Sequence, residues 1–168
     1  MIGIRRRNMH PTRNDLPQDT RAAIVKLLNE RLADAIDLQL QAKQAHWNVR
    51  GPHFISLHEL FDKVSEEVSG FIDEIAERAS ALGGVAEGTL AAVSSRTTLP
   101  AYSLTISDGR DHVDALSKAI AAFGKQARAA IDQADSAGDA DTADLFTQVS
   151  REVDKQLWFV EAHLEAKR

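Results

Sequence analysis

The sequence predicts an all-α protein, a four-helix bundle with one long crossover between its second and third helices. Apolar residues recur at steps of three and four over four long segments, none of which contains an internal proline. Glycines and prolines fall between these segments, and no stretch alternates apolar and polar residues for long enough to form a strand. With 168 residues, the chain suits one domain that buries its own core.

The first two helices are predicted on either side of a Gly-Pro pair. The first runs from about Asp19 to Val49, with its apolar residues along one face. Gly51 and Pro52 end it, and the proline also suits the first turn of the next helix. The second helix runs from about His53 to Leu82, a length of about 45 Å at 1.5 Å per residue. The glycines at 83 and 84 supply its stop signal.

The second half of the chain predicts the crossover and two further long helices. The crossover between Val85 and Ile106 is interrupted by Pro100 and has room for a short helix over Leu90–Ser95. The third helix starts at Ser107–Asp108, a good cap, and runs to about Ala137. After Gly138 the fourth helix starts near Asp139–Asp141 and continues to the end of the chain.

The composition excludes several classes of function. There is no cysteine, which excludes a disulfide scaffold, a thiolate zinc site, an iron–sulfur cluster and thiol redox chemistry. Residues 1–11 are polar and Arg-rich, unlike a secretory signal, and no apolar run approaches the roughly 20 residues of a membrane helix. We therefore expect a cytoplasmic protein with no membrane partner.

Charge is distributed unevenly along the chain. The 25 acidic and 20 basic residues give a net charge of −5, which argues against a dedicated nucleic-acid binder. The first residues nevertheless contain no carboxylate before Asp15 and carry four arginines, namely Arg5, Arg6, Arg7 and Arg13. Residues 1–15 are predicted to form an Arg-rich tail that precedes the bundle of residues 16–168 and is opposite in charge to it.

Two pairs of metal-binding residue types stand out on the second helix. His58 and Asp62 are four residues apart, and so are Asp73 and Glu77. Side chains at i and i+4 lie one above the other on a helix and can chelate one ion. At about 100° per residue, all four fall within a sector of roughly 100° on the helix surface. A metal ion would satisfy carboxylates and imidazoles on such a partly buried face.

The spacing of the two pairs predicts a site shared between two copies of the chain. Their midpoints lie about 22 Å apart along the helix axis, so one chain cannot bring both pairs to one metal centre. Two copies packed antiparallel about a two-fold axis near residues 67–68 can do so. His46, just across the Gly51–Pro52 turn, can join His58 and Asp62 from its own chain. A mixed nitrogen and oxygen ligand set suits Fe(II), Mn(II) or Zn(II).

Other interpretations of these residues remain open at this stage. The carboxylates could instead form salt bridges at the interface with Arg78 or Lys63. The zinc-protease pattern fails, because the residue four positions after His58 is Asp62 rather than a histidine. No Glu-x-x-His sequence occurs in the chain, which argues against a di-iron site inside one bundle.

Several short motifs lie before the first helix, around both Trp residues and at the ends of the second and fourth helices. They are Thr12-Arg13-Asn14-Asp15, Lys43-Gln44-Ala45-His46-Trp47-Asn48, Gly51-Pro52 with Phe54, His58-Glu59-Leu60 with Asp62, Ala76-Glu77-Arg78-Ala79, Leu82-Gly83-Gly84, Asp141-Thr142-Ala143-Asp144 and Asp154-Lys155-Gln156-Leu157-Trp158-Phe159. Together these motifs resemble the Dps family, the starvation-associated mini-ferritins. The resemblance covers nearly the whole chain beyond residue 11.

The resemblance implies a hollow dodecamer of ferritin-like bundles, built from two-fold dimers, with a di-iron ferroxidase site at each two-fold interface. Its ligands fall on all five residues chosen from spacing, which are His46, His58, Asp62, Asp73 and Glu77. The implied reaction oxidises Fe(II), preferably with hydrogen peroxide, and stores the oxide inside the shell. Zn(II) or Mn(II) can bind in place of iron.

The resemblance also implies roles outside the di-iron site. Asp141 and Asp144 are candidates for the acidic residues that line pores at the three-fold axes, with helix capping as the alternative. Trp47, beside His46, is a candidate to intercept stray oxidising equivalents, although a tryptophan is more often a core or interface residue. In the family a flexible basic tail often binds DNA, so DNA binding through Arg5, Arg6, Arg7 and Arg13 is expected, with association to the nucleoid.

Two alternatives to a ferroxidase follow from the same features. One is an architectural protein that condenses DNA with weak or no oxidase activity. The other is an assembled bundle that binds no metal, in which the five polar residues serve only the interface between subunits.

Overall fold

The computed structural model describes residues 9–165, and over that range it confirms the predicted all-α bundle with one crossover. The helices are α1 (Gln18–Asn48), α2 (Phe54–Ala81), α3 (Leu90–Arg96), α4 (Gly109–Ser136) and α5 (Ala140–Glu161), followed by a 3-10 turn over Ala162–Leu164. No β-strand occurs in this part of the chain, where the single bridge joins Arg50 to Asp108. Within the same range, no helix is long and apolar enough to span a membrane.

The four long helices pack as two hairpins around one apolar core. α1 packs along α2 and α4 along α5, while α1–α4 and α2–α5 contacts join the hairpins. Three fully buried phenylalanines, Phe61, Phe123 and Phe146, are the largest side chains in this core. The short helix α3 in the crossover packs on α1.

The helices begin and end close to the capping and stop residues predicted from the sequence. Gly83 and Gly138 adopt φ angles of +84° and +83° just beyond α2 and α4, a conformation that glycine reaches without strain. Asp108 caps α4 by accepting a hydrogen bond from the Arg110 backbone N–H. The expectation that Pro52 lies in the first turn of the second helix is wrong, because α2 begins at Phe54, two residues later.

Polar side chains of α1 hold the crossover against the bundle. Asn29 donates to the backbone carbonyl of Val85 at 2.9 Å and accepts from the backbone N–H of Glu87 at 2.8 Å. One turn further on, buried Asp34 accepts from the backbone N–H of Thr98 at 2.7 Å. Burial raises the pKa of Asp34, whereas the hydrogen bonds from Thr98 and the neighbouring Arg31 lower it in part. The crossover is thus attached to α1 by side chains as well as by apolar contact.

The first described residues lie against the bundle. The His10 backbone N–H donates to the carbonyl of Gly83 at 2.7 Å, and Met9 packs on the core. Residues 9–15 belong to the tail predicted from sequence. Within them, His10 contacts Gly83, just beyond the end of α2. Arg13 is exposed, and Arg5–Arg7 lie outside the described residues.

Candidate metal centre

The turn between α1 and α2 places three of the predicted ligands along one groove. His46 lies in the last turn of α1, and His58 and Asp62 lie in the first turns of α2. Gly51, with a φ angle of +112°, allows the chain to reverse between the two helices. The three side chains border an open groove of about 560 Å³. They are half-buried, so they are both positioned by the fold and accessible from solvent.

The two histidines fix each other through reciprocal hydrogen bonds. Nδ1 of His46 lies 2.7 Å from the carbonyl oxygen of His58, and Nδ1 of His58 lies 2.8 Å from that of His46. The rings stack with their centroids 3.7 Å apart. A carbonyl oxygen can only accept, so each Nδ1 carries a proton and donates it. In the neutral rings, both Nε2 atoms therefore keep a lone pair for a metal ion.

Asp62 is paired with Lys43 from α1. The Lys43 ammonium makes a short contact with Oδ1 of Asp62, and both side chains are partly exposed. The hydrogen bond from Lys43 lowers the pKa of Asp62; burial opposes this effect, and the neighbouring imidazoles add to it. Asp62 is thus ionised at neutral pH. Its partner in one chain is Lys43, rather than the Lys63 or Arg78 considered from sequence.

Replacing Lys43 with methionine is expected to raise the pKa of Asp62 toward its ordinary value of 3.8. Because the pKa of Asp62 is lowered in the folded state, its stabilising pair is complete above pH 3.8 and is lost as the pH falls through the folded value. A carboxyl NMR titration of the metal-free protein measures this change. Lys26→Met, at an exposed pair with Glu30, is the matched control. An unchanged Asp62 midpoint in Lys43→Met would contradict the assignment.

The other two predicted ligands do not join this group within one chain. Asp73 and Glu77 are exposed on α2, and the axial rise of a helix places them about 22 Å beyond the pair of His58 and Asp62. In residues 9–165 of one chain, no group of three His, Asp or Glu side chains is placed to hold a metal ion. A single chain therefore offers two separate parts of the predicted ligand set.

The remaining candidate residues occupy two other regions. Asp141 and Asp144 are exposed at the start of α5, and Oδ2 of Asp141 lies 3.8 Å from Nη1 of Arg78. Arg78 makes its closer contact, 2.7 Å, with buried Asp139, which also caps α5. Trp47, next to His46, is 66% exposed in the single chain.

Sequence reasoning missed two groups that shape the histidine site. Lys43 stands three residues before His46, one helical turn away on α1, and this spacing could have identified it. The centroid of the Phe54 ring lies 5.1 Å from that of the His58 ring, and the two rings are tilted by 33°. The position of Phe54 in the first turn of α2, four residues before His58, is the corresponding signal.

Comparison with known proteins gives consistent matches. A sequence model of the ferritin-like domain matches residues 25–168. A DNA protection during starvation protein of Agrobacterium fabrum is 49% identical over 158 residues, which cover 94% of this chain and 98% of that protein.

Solved structures agree with the sequence matches. DpsC from Streptomyces coelicolor superposes with a TM-score of 0.91 at 33% identity, covering 96% of this chain and 94% of its own. Dps from Microbacterium arborescens, solved in a high-iron form, gives a TM-score of 0.82 at 31% identity and covers 94% of this chain and 99% of its own. The sequence and fold of this chain match those of the two solved structures over almost their full length. The chain belongs to the Dps family of ferritin-like proteins.

Proposed function

We propose that the protein is a ferroxidase of the mini-ferritin type, which oxidises Fe(II) with hydrogen peroxide at a site shared by two copies of the chain. The main support for this proposal is the pair of His46 and His58, which are joined by reciprocal hydrogen bonds. Both imidazoles present a free Nε2 beside an ionised carboxylate at the mouth of an open groove. A histidine pair that served only packing would not need both rings held in the tautomer that binds metal.

The donor set fits iron as the substrate. Neutral imidazoles bind Fe(II), while the hard anionic oxygens of Asp62, Asp73 and Glu77 stabilise the Fe(III) product. In the shared site, His46, His58 and Asp62 come from one copy, and Asp73 and Glu77 from the other. Binding of a metal at Asp62 replaces the Lys43 ammonium as the partner of this carboxylate. Zn(II) and Mn(II) suit the same ligands and are expected to compete with iron.

Pairing two Fe(II) ions would favour peroxide as the oxidant. Two Fe(II) ions supply the two electrons that convert one hydrogen peroxide and two protons into two molecules of water. A lone Fe(II) ion supplies one electron and leaves a hydroxyl radical. The ligands from the two copies hold both ions at one place, so the two electrons pass to one peroxide molecule.

We further propose that two-fold dimers assemble into a hollow dodecamer that stores the oxidised iron. The supporting observations are the relatives of the same length and fold, one of them solved in a high-iron form. Asp141 and Asp144 are exposed, as residues that line an entry pore for cations must be. Arg78 lies beside Asp141 and moderates the negative charge there.

The test loads metal-free protein with Fe(II) under anaerobic conditions and then adds hydrogen peroxide in portions. We expect rapid formation of Fe(III) with about two Fe(II) consumed per peroxide, because one peroxide accepts two electrons. Spin trapping in the same samples should detect little hydroxyl radical compared with buffer. Oxidation no faster than in buffer would overturn the proposal, and the architectural role would then become the leading explanation.

A second proposed function is binding of DNA through the arginines of residues 1–15. A cluster of three consecutive arginines precedes the attachment of His10 to Gly83, and a relative is named for DNA protection. Several tails on one assembly would bind together, so that weak single contacts add up. The whole chain has a net charge of −5 even with its four tail arginines, so the body is more acidic still and opposes this binding beyond the reach of the tails.

Gel shifts over a range of salt concentrations test the tail directly. The variant Arg5→Ala/Arg6→Ala/Arg7→Ala should bind more weakly, and its salt slope should fall by about 0.9 for each phosphate that the tail no longer neutralises. The variant Arg13→Ala changes the part of the tail that follows the attachment point at His10. It therefore tests the contribution of that part separately from that of Arg5–Arg7. Equal binding by the triple variant and the parent protein would reject contact through Arg5–Arg7. Binding of DNA without any iron oxidation would instead favour a purely architectural protein.

A further inference from the structure

A tyrosine–histidine pair, in which the histidine is buried and the tyrosine half-buried, lies outside the proposed ligand set. The hydroxyl oxygen of Tyr102, in the crossover, is 2.6 Å from Nδ1 of His112 on α4. His112 is 1% exposed, and its ring lies nearly parallel to that of Tyr102 with the centroids 6.0 Å apart. Tyr102 is the single tyrosine of the 168-residue chain. Neither residue belongs to a motif or to a candidate site recognised from sequence.

The surroundings of His112 keep its ring neutral, so that Nδ1 can accept a hydrogen bond from Tyr102. Burial lowers the pKa of His112, although the Asn48 backbone and two nearby aspartates raise it in part. Nε2 of His112 makes no hydrogen bond of ordinary geometry within the described structure. The Asn48 backbone is the polar group that raises the pKa of the ring and so favours a proton on it. With the proton on Nε2, Nδ1 accepts the hydrogen bond from the Tyr102 hydroxyl.

We propose that Tyr102 and His112 form a redox-active pair that takes up a one-electron oxidising equivalent. A one-electron oxidant removes an electron from Tyr102, and the phenolic proton passes along the 2.6 Å hydrogen bond to Nδ1 of His112. The products are a neutral tyrosyl radical, a histidinium and the reduced oxidant. When the oxidant is a hydroxyl radical, it becomes hydroxide. Without His112 the same oxidation would leave a phenol radical cation or pass its proton to solvent, which is a weaker base than imidazole.

The pair is placed to receive oxidant from the proposed metal centre. The Phe61 ring, one residue before Asp62, has its centroid 6.4 Å from that of His112. On the other side, Asn48, whose backbone reaches His112, is two residues after His46 and adjoins Trp47. Two short connections thus lead from the ligand residues to the pair. This source of oxidant rests on the proposed function, whereas the redox chemistry of the pair does not.

The radical would also be accessible to a small reductant. Tyr102 borders an open pocket of about 300 Å³, which it shares with Gln41, Asp114 and Lys118. His112 itself does not line this pocket, so the proton acceptor stays buried while the phenol edge meets solvent. A small soluble reductant can therefore return the electron, after which the proton moves back from His112 to the phenolate.

The first test of the pair uses no iron. Azidyl radicals made by pulse radiolysis oxidise the exposed tryptophans, and transfer to Tyr102 then appears as tyrosyl absorbance and as an EPR signal. The conservative variant His112→Gln can accept the hydrogen bond but not the proton, so formation of the tyrosyl radical should slow by about 10²-fold or more. In Tyr102→Phe the tryptophanyl signal should persist. His163→Gln, at an exposed histidine, is the matched control. Equal rates in His112→Gln and the parent protein, or no tyrosyl radical in the parent protein, would overturn the proposal.

The second test links the pair to iron. Protein loaded with one Fe(II) per site and mixed with peroxide should show the Tyr102 radical by freeze-quench EPR, and Tyr102→Phe should lose it with its rate of Fe(II) oxidation unchanged. Rapid oxidation of Fe(II) without the radical would overturn the link while leaving the ferroxidase proposal intact. Failure of Fe(II) oxidation at two Fe(II) per site, with the azidyl result still positive, would overturn the ferroxidase proposal and support the pair alone.

Discussion

Replacing Asp73 and Glu77 with alanine should reduce peroxide-driven oxidation of Fe(II) nearly to the rate in buffer. Neither side chain is part of the His46–His58 group in its own chain, so a large loss would show that they act on a neighbouring copy. We expect a fall of more than about 10²-fold, since even the indirect supports of a metal site contribute 10- to 100-fold. Stopped-flow absorbance of Fe(III) measures it. Glu74→Ala, at an exposed carboxylate between the two, is the control.

Mixed assemblies make this prediction sharper. One variant carries His46→Ala/His58→Ala and the other carries Asp73→Ala/Glu77→Ala, so each is inactive as a homodimer. A heterodimer of the two has one intact shared site and one site that lacks every ligand except Asp62. After random reassembly, about a quarter of all sites should be active, because half of the dimers are mixed. No recovery of activity in a verified mixed assembly would reject the shared site.

Replacing Phe61 with alanine should cause the largest loss of stability among single substitutions near the site. Phe61 is fully buried, and it lies between Leu57 on the core side and Asp62 at the metal groove. Removing a buried phenylalanine ring costs about 3–5 kcal/mol, through lost burial and the cavity that remains. Denaturant unfolding at fixed protein concentration measures the change, because assembly contributes to the apparent stability.

Leu104 provides the matched control for this substitution. Its side chain is 78% exposed in the crossover, so Leu104→Ala should change the free energy of unfolding by no more than about 0.5 kcal/mol. A small effect of Phe61→Ala, similar to that of the control, would show that the core collapses around the missing ring. A larger loss of unfolding free energy for Phe61→Ala than for Leu104→Ala would thus show that the core on the α2 side of the site does not collapse to fill the cavity.

The helices and the five candidate ligands could be predicted because their signals are local. The i, i+4 spacing of His58 and Asp62 needs only the geometry of one helix, and the stops at Gly83 and Gly138 need only the backbone freedom of glycine. Comparison with known proteins confirms the family that the motifs resembled. The sharing of the site remains a prediction, since it depends on a second copy.

The interactions that sequence reasoning did not find are distant along the chain. Asp62 meets Lys43 from 19 residues away, and Asp34 meets Thr98 from 64 residues away. The tautomer of His46 depends on the carbonyl of His58, which becomes its neighbour only when the turn at Gly51 closes. Helical periodicity places each residue on a face but does not specify which groups of another element lie opposite it.

The attachment of the crossover to α1 has a practical consequence for protein engineering. Long surface loops usually tolerate an inserted peptide or reporter domain. Here an insertion near Glu87 or Thr98 would pull backbone groups away from Asn29 and Asp34, and the buried Asp34 carboxylate would lose its hydrogen bonds from Thr98. The segment around Ser103 and Thr105, whose side-chain hydrogen bonds are to each other, is a better graft point for cargo on this scaffold.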